Sequence, residues 1–233
     1  MEPFLNIIVN PVKAFNQLKT EEKFPVITLI ILLTLVLINL ILDVPINAKA
    51  SELVLAGMPL PDNQIDRAIE MTHKLRYLTM IGGFFMYNMM LFLHALVLFV
   101  TALLFKTQIT YMKAFRLIIC CFIVLVIGGL VNTAIVYTKG IDNMESMYDA
   151  MMTGANVLTS LEKAGTVLYL LLASITPFQL WFVALLIIGF KIFTNSDWKK
   201  SSLICIIYWL IVTLFPVMTA AFSQMFLADK GLM

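Results

Sequence analysis

The chain has 233 residues, of which 61% are hydrophobic and 13% charged, with a net charge of +2 and a mean hydropathy of +0.95. A water-facing domain carries about 25% charged residues, so this composition excludes a soluble globule, a nucleic-acid binder with a basic surface and a disordered tail. Three cysteines are too few, and too oddly numbered, for a disulfide framework.

The expected fold is all-α: a polytopic membrane protein built as a five-transmembrane-helix bundle with short interfacial helices. Charged residues divide the chain into five apolar runs, Phe24–Leu42, Tyr77–Phe105, Leu117–Thr138, Ala164–Phe190 and Ser201–Ala228. Each reaches the length of about 20 residues that a helix needs to cross the hydrocarbon core. None shows the alternation of a barrel strand, and in lipid a lone helix satisfies its own backbone. The expected organisation is an N-terminal segment over 1–23, a five-span membrane domain over 24–228 and a short tail over 229–233.

In the opening segment Asn10 is placed to cap a helix that begins at Pro11, with Ala14, Phe15 and Leu18 on one face. Phe4, Ile7 and Ile8 extend that apolar side, while Lys13, Asn16, Gln17 and Lys19 face water. Two readings fit: the segment lies in the headgroup layer, or it docks against the protein's own helices. Phe15, Trp181 and Trp198 are candidate interfacial anchors. The first span followed by Ala48-Lys49-Ala50 imitates a signal peptide. Its 19-residue apolar core exceeds the usual 7–15, so retention is expected.

The segment 43–76 reads as a loop with a helical piece after Pro59 and Pro61. Ile65, Ala68, Ile69, Thr72 and Leu75 share a face there, and Glu70 sits four residues before Lys74. That helix is expected to run into the second span, which holds the stripe Tyr87, His94 and Thr101, with Asn88 on a neighbouring face. In the third span Gly128, Gly129, Asn132 and Thr133 form a small face that admits a close neighbour. The loop 139–163 carries two capping-box spacings, Ser146 with Asp149 and Thr159 with Glu162, and a Met-rich side of Met144, Met147, Met151 and Met152. Pro177 and Pro216 are expected to kink the fourth and fifth spans.

The segments 1–23, 106–116 and 191–200 share one side and hold nine Lys/Arg in 44 residues. The opposite side holds seven in 64 residues together with ten of the fourteen acids. The positive-inside rule therefore places the N-terminus in the cytoplasm and the C-terminus outside.

The five runs contain no Asp, Glu, Lys or Arg, which argues against a proton relay, a voltage sensor or an acid-coupled transporter. The candidate intramembrane polar contacts are Asn88, His94, Asn132 and Gln179. His94 is either a pH-sensitive or ligand-contacting group, or a neutral imidazole hydrogen-bonded across a helix interface to Asn132 or Gln179. Cys120, Cys121 and Cys205 lack a second Cys or His at zinc spacing and read as packing residues. His73 has no nucleophile in a triad arrangement, and no glycine loop suits a phosphate. No enzyme, no cofactor and no metal site is expected.

Three stretches carry a family resemblance. Asn10-Pro11-Val12-Lys13-Ala14-Phe15 resembles the opening of bacterial members of the YIP (Ypt-interacting protein) family. Ala102-Leu103-Leu104-Phe105-Lys106 with Tyr111-Met112-Lys113-Ala114-Phe115-Arg116 is a second match. The third runs from Pro177-Phe178-Gln179-Leu180-Trp181 through Ile188-Gly189-Phe190 to Asp197-Trp198-Lys199-Lys200 and Trp209. The resemblance implies five spans, a cytoplasmic N-terminus and a bacterial inner membrane. Eukaryotic members act in vesicle trafficking by binding Rab-type GTPases and carry an acidic, Gly-Pro-containing N-terminal motif. That motif is absent here, which argues against GTPase binding.

The expected function is that of a non-enzymatic membrane protein that binds or organises other membrane components. The alternative is a transporter or channel for a neutral or lipidic solute. Membrane lipids are the expected partners, with another membrane protein or a second copy of the chain as further candidates, and no nucleic acid.

Overall fold

The computed structural model describes residues 2–20, 25–58 and 61–229, with side chains over 6–20, 25–58, 61–160, 163 and 165–219. Phe24, Pro59, the side chains of Phe4 and Glu162, and the tail over 230–233 lie outside the described residues. Two short helices, α1 (Glu2–Val9) and α2 (Pro11–Thr20), precede α3 (Val26–Ala56), α4 (Asp62–Leu104) and α5 (Tyr111–Lys139). Three single 3-10 turns cover Ile141–Asn143, Met147–Ala150 and Ala155–Leu158. They lead to α6 (Leu161–Ala173), α7 (Pro177–Thr194) and α8 (Trp198–Asp229). Among the described residues there is no strand, and α3, α4, α5, α7 and α8 are long and apolar enough to cross a membrane.

Three boundaries differ from those the apolar runs suggested, each for a physical reason. Helix α3 continues past Leu42 to Ala56, and α4 begins at Asp62, well before Tyr77. Hydropathy stops at the first charge, but a helix does not, because charged side chains outside the hydrocarbon face water or one another. Glu70 and Lys74 make the expected i,i+4 pair at 2.7 Å on this extension. The fourth run is divided instead of kinked. Pro177 disfavours helical backbone at the residue before it, and Thr176 accordingly sits at φ −111, ψ 156. Its hydroxyl caps α7 by accepting from the backbone N–H of Gln179 at 2.9 Å, with Pro177 in the first turn, where no N–H is needed. Inside α6, Gly165 adopts φ +70, a backbone region costly to any residue with a Cβ. Helix α6 is capped at Ser160, not Thr159.

The chain forms two compact units. The first comprises 1–35, 87–127 and 176–216. Its core is built on α5, whose residues 117–124 are all buried, together with Leu91, Ala95 and Leu98 of α4, Leu185, Leu186 and Phe190 of α7, and Ile204, Cys205 and Tyr208 of α8. The N-terminal pair belongs to this core. Asn10 caps α2 by accepting from the Lys13 N–H at 3.2 Å, and Ala14, Phe15 and Leu18 are buried as α2 packs on α7. Of the two readings of this segment, docking on the protein's own helices is the one the packing matches, and Phe15 is a core residue rather than a surface anchor. Its ring meets Phe193 edge-on, with centroids 6.4 Å apart, and lies over Gly189. Trp181 and Trp198 remain on the exterior.

The second unit comprises 36–86, 128–175 and 217–233. Its buried apolar centre is small: Ile46, Val136 and Met144, flanked by Ala50, Leu53, Ile141, Ala150 and Met152. Of the Met-rich side, Met144 and Met152 pack here, while Met147 and Met151 stay exposed. Asp149 closes the turn at 147–150 as its spacing predicts, its Oδ2 accepting from the N–H of Ser146 at 2.8 Å and of Glu145 at 2.9 Å.

Candidate functional site

Asn88, His94 and Gln179 belong to the first unit and Asn132 to the second. His94 Nδ1 lies 2.6 Å from the Tyr208 hydroxyl of α8, and the imidazole meets the Phe122 ring edge-on at 4.8 Å between centroids. Its partner is therefore neither Asn132 nor Gln179. The stripe shared with Tyr87 turns both rings toward Phe122, and Tyr87 lies 6.0 Å from it. The lower residue of that stripe, Thr101, returns its hydroxyl to the Val97 carbonyl at 2.7 Å. Gln179 lends its backbone N–H to the Thr176 cap, while its side-chain Oε1 is buried with no hydrogen-bond partner.

Asn132 fastens the loop after α5. Its amide nitrogen donates to the Ala150 carbonyl at 2.7 Å, and its Oδ1 accepts from the Met152 N–H, also at 2.7 Å. The next residue on the same helix, Thr133, is buried against α3, with its hydroxyl 2.5 Å from Asp43 Oδ1 and 3.2 Å from Asn39 Oδ1. Gly129 makes that approach possible, since a Cβ there would lie 2.9 Å from the Asn39 amide nitrogen. The expected small face on the third span is thus the seat of α3.

The second unit holds a cavity of about 800 Å³ between α3 and α4, with Ile141 and Asp142 also in its lining. Helix α3 supplies Ile41, Val44, Pro45, Ala48, Lys49 and Glu52, which fall on one face at helical spacing. Helix α4 supplies His73, Arg76, Tyr77 and Met80, again one face. His73 Nε2 is 2.8 Å from Glu52 Oε1, and Lys49 Nζ is 3.9 Å from Glu52 Oε2. Arg76 stacks on Tyr77 at 4.8 Å and donates to its hydroxyl at 3.3 Å. Among the described residues no carboxylate pairs with Arg76. None of Asn88, His94, Asn132 and Gln179 lines this cavity. Sequence reasoning missed it because it ended the first helix at Leu42 and so left the helix over 65–75 without a facing wall; the signal it overlooked is the i, i+3, i+4, i+7 spacing of residues 41–52.

A family profile described as the Yip1 domain matches residues 5–220. The chain belongs to the Yip1 family. Searches among curated proteins and among solved structures returned no match. The Yip1 domain contains the whole of α2 to α7 and α8 as far as residue 220, so the membrane-spanning helices and the α3–α4 cavity both lie within it. Membership and the five apolar helices together make this an integral, multi-pass membrane protein.

The stretches that carry the resemblance have structural work in this Yip1 domain, and they belong to the first unit. Arg116 donates to the Leu18 carbonyl at 2.8 Å, tying the end of α2 to α5. Lys19 Nζ reaches Asn195 Oδ1 at 2.5 Å, and Lys191 lies over the Trp198 ring at 4.5 Å. Asn195 ends α7 in the left-handed conformation that an asparagine tolerates.

Proposed function

We propose that this Yip1-domain protein is a non-catalytic membrane component that binds and organises another membrane protein. Its expected setting is a bacterial cytoplasmic membrane, with the N-terminus inside. The observation that supports this reading is how the polar groups of the helices are used. His94 is committed to Tyr208, Asn132 to two backbone groups of its own loop, and Thr133 to α3. With these three groups spent on internal bonds, His94 and Asn132 lie in different units and form no convergent set for catalysis or for a transport path. What the first unit presents outward on α4 is an apolar row at helical spacing: Met89, Phe92, Leu96, Val100 and Leu103, each about half exposed. Long, adaptable Met and aromatic side chains on such a row suit a second transmembrane helix as well as lipid.

Photo-crosslinking in the native membrane tests this. A benzophenone side chain at Met89 or Leu96 is expected to join the chain to one discrete polypeptide. Crosslinks confined to lipid from both positions would overturn the reading.

A further inference from the structure

The α3–α4 cavity shows a gradient that the partner reading does not use. Along α3 its lining passes from Ile41, Val44 and Ala48 to Lys49 and Glu52; along α4, which runs the other way, it passes from Arg76 and His73 to Tyr77 and Met80. Because the two helices are antiparallel neighbours, close enough that a Cβ at Gly83 would lie 3.4 Å from the Leu40 side chain, the apolar ends of both walls coincide and so do the charged ends. On α3 the crossover falls between Ala48 and Lys49, within two turns past the end of the apolar run, and on α4 between Arg76 and Tyr77, where the apolar run begins, so the charged ends of both walls lie at and beyond the edge of the hydrocarbon. A cavity that is greasy toward the hydrocarbon and charged beyond it is shaped for an amphiphile. Its size, about 800 Å³, lies within the roughly 300–1,000 Å³ typical of ligand sites.

The charges narrow the class. Lys49, His73 and Arg76 stand beside Glu52 and Asp142, so the polar end offers both signs. Glu52 is engaged by His73, whereas Arg76 has a tyrosine but no carboxylate beside it among the described residues. A guanidinium held against an aromatic ring with donors to spare suits a phosphate. Asp142 then suits a cation on the same ligand. We infer that this cavity seats a glycerophospholipid with a zwitterionic headgroup, its phosphate on Arg76 and Lys49, its ammonium toward Asp142, and an acyl chain along Ile41, Val44 and Met80. This site stands whether or not a protein partner exists.

The test is native mass spectrometry of the full-length protein released from nanodiscs of defined composition, with retained lipid counted as added mass. Phosphatidylethanolamine is expected to be retained over diacylglycerol, and Arg76→Gln or Lys49→Gln to lower its retention by about tenfold for each lost charge-assisted contact. Ala48→Trp, which fills the apolar end, is expected to abolish retention with the thermal midpoint unchanged. Soluble glycerophosphoethanolamine is expected not to compete. Equal retention of diacylglycerol, or retention unaltered in both Arg76→Gln and Ala48→Trp, would overturn the site. Full competition by the soluble headgroup would overturn the role of the apolar wall, and preference for phosphatidylglycerol would overturn the pairing with Asp142.

Discussion

The two units of this molecule are of nearly equal length and share the same long helices, yet they solve the packing problem differently. The first surrounds α5 with close-packed side chains and aromatic edges and takes in the N-terminal helix as well. Among the described residues, Val36, Ile46, Val136, Met144 and Val217 are the buried apolar side chains of the second. Around them lie partly buried apolar side chains such as Ala50, Leu53 and Met152, together with polar ties and the walls of cavities. Between helices, too, hydropathy does not set enclosure: α3 and α5 have the same hydropathy, 2.7, over their most apolar windows, while 17% of one window is buried and 72% of the other. Hydropathy decides that a helix enters a membrane. Small residues and interlocking aromatics decide what it touches there.

If stability resides in the first unit, the largest loss should come from its centre. Phe15→Ala removes a fully buried ring and is expected to cost about 3 kcal/mol. Denaturation in mixed micelles reads that loss, and proteolysis within 11–20 reports release of α2. Gly189→Ala should cost about 2 kcal/mol by overpacking, because its Cβ would meet the Phe15 ring at 3.1 Å and press on Leu117. The same change in a Phe15→Ala background should cost less, since the Phe15 clash is gone and Leu117 can shift into the vacated space. In the second unit, Asn132→Ala should cost about 1 kcal/mol and speed amide exchange at Met152, leaving the amides of α5 around Leu117 protected. A loss as large as that of Phe15→Ala would erase the distinction between the units. The smallest effect is the coupling in a His94→Leu, Tyr208→Phe double-mutant cycle, expected near 0.6 kcal/mol, the usual scale for a hydrogen bond within a membrane protein. A null coupling would mean that the 2.6 Å contact does not contribute to stability.

The spans were legible because crossing a bilayer is a local property, written in twenty consecutive residues. The α2 cap was legible too: Asn10 followed by Pro11 is chemistry within one turn. The break before α7 sits inside an unbroken apolar run, where hydropathy is blind, although Thr176 and Gln179 stand at capping-box spacing beside Pro177 and signal a helix start. Of the four polar candidates, His94 bonds to Tyr208 and Asn132 to the loop after its own helix, partners that the sequence did not reveal. Tyr208 lies 114 residues from His94, and no periodicity relates two helices that are distant in sequence. The cavity was missed for the same reason. Lys49, Glu52, His73 and Arg76 come together only because α3 and α4 both outlast their apolar runs.

Cys120, Cys121 and Cys205 make up the whole thiol complement, and all three are sealed in the first unit. The native chain is therefore silent to a water-soluble maleimide. A cysteine placed at the exposed Lys113, in the first turn of α5, or at the exposed Glu145, beyond α5, would be the one thiol such a reagent could find. In intact cells the protein would then report which of its ends faces the outside world, with none of its own cysteines replaced.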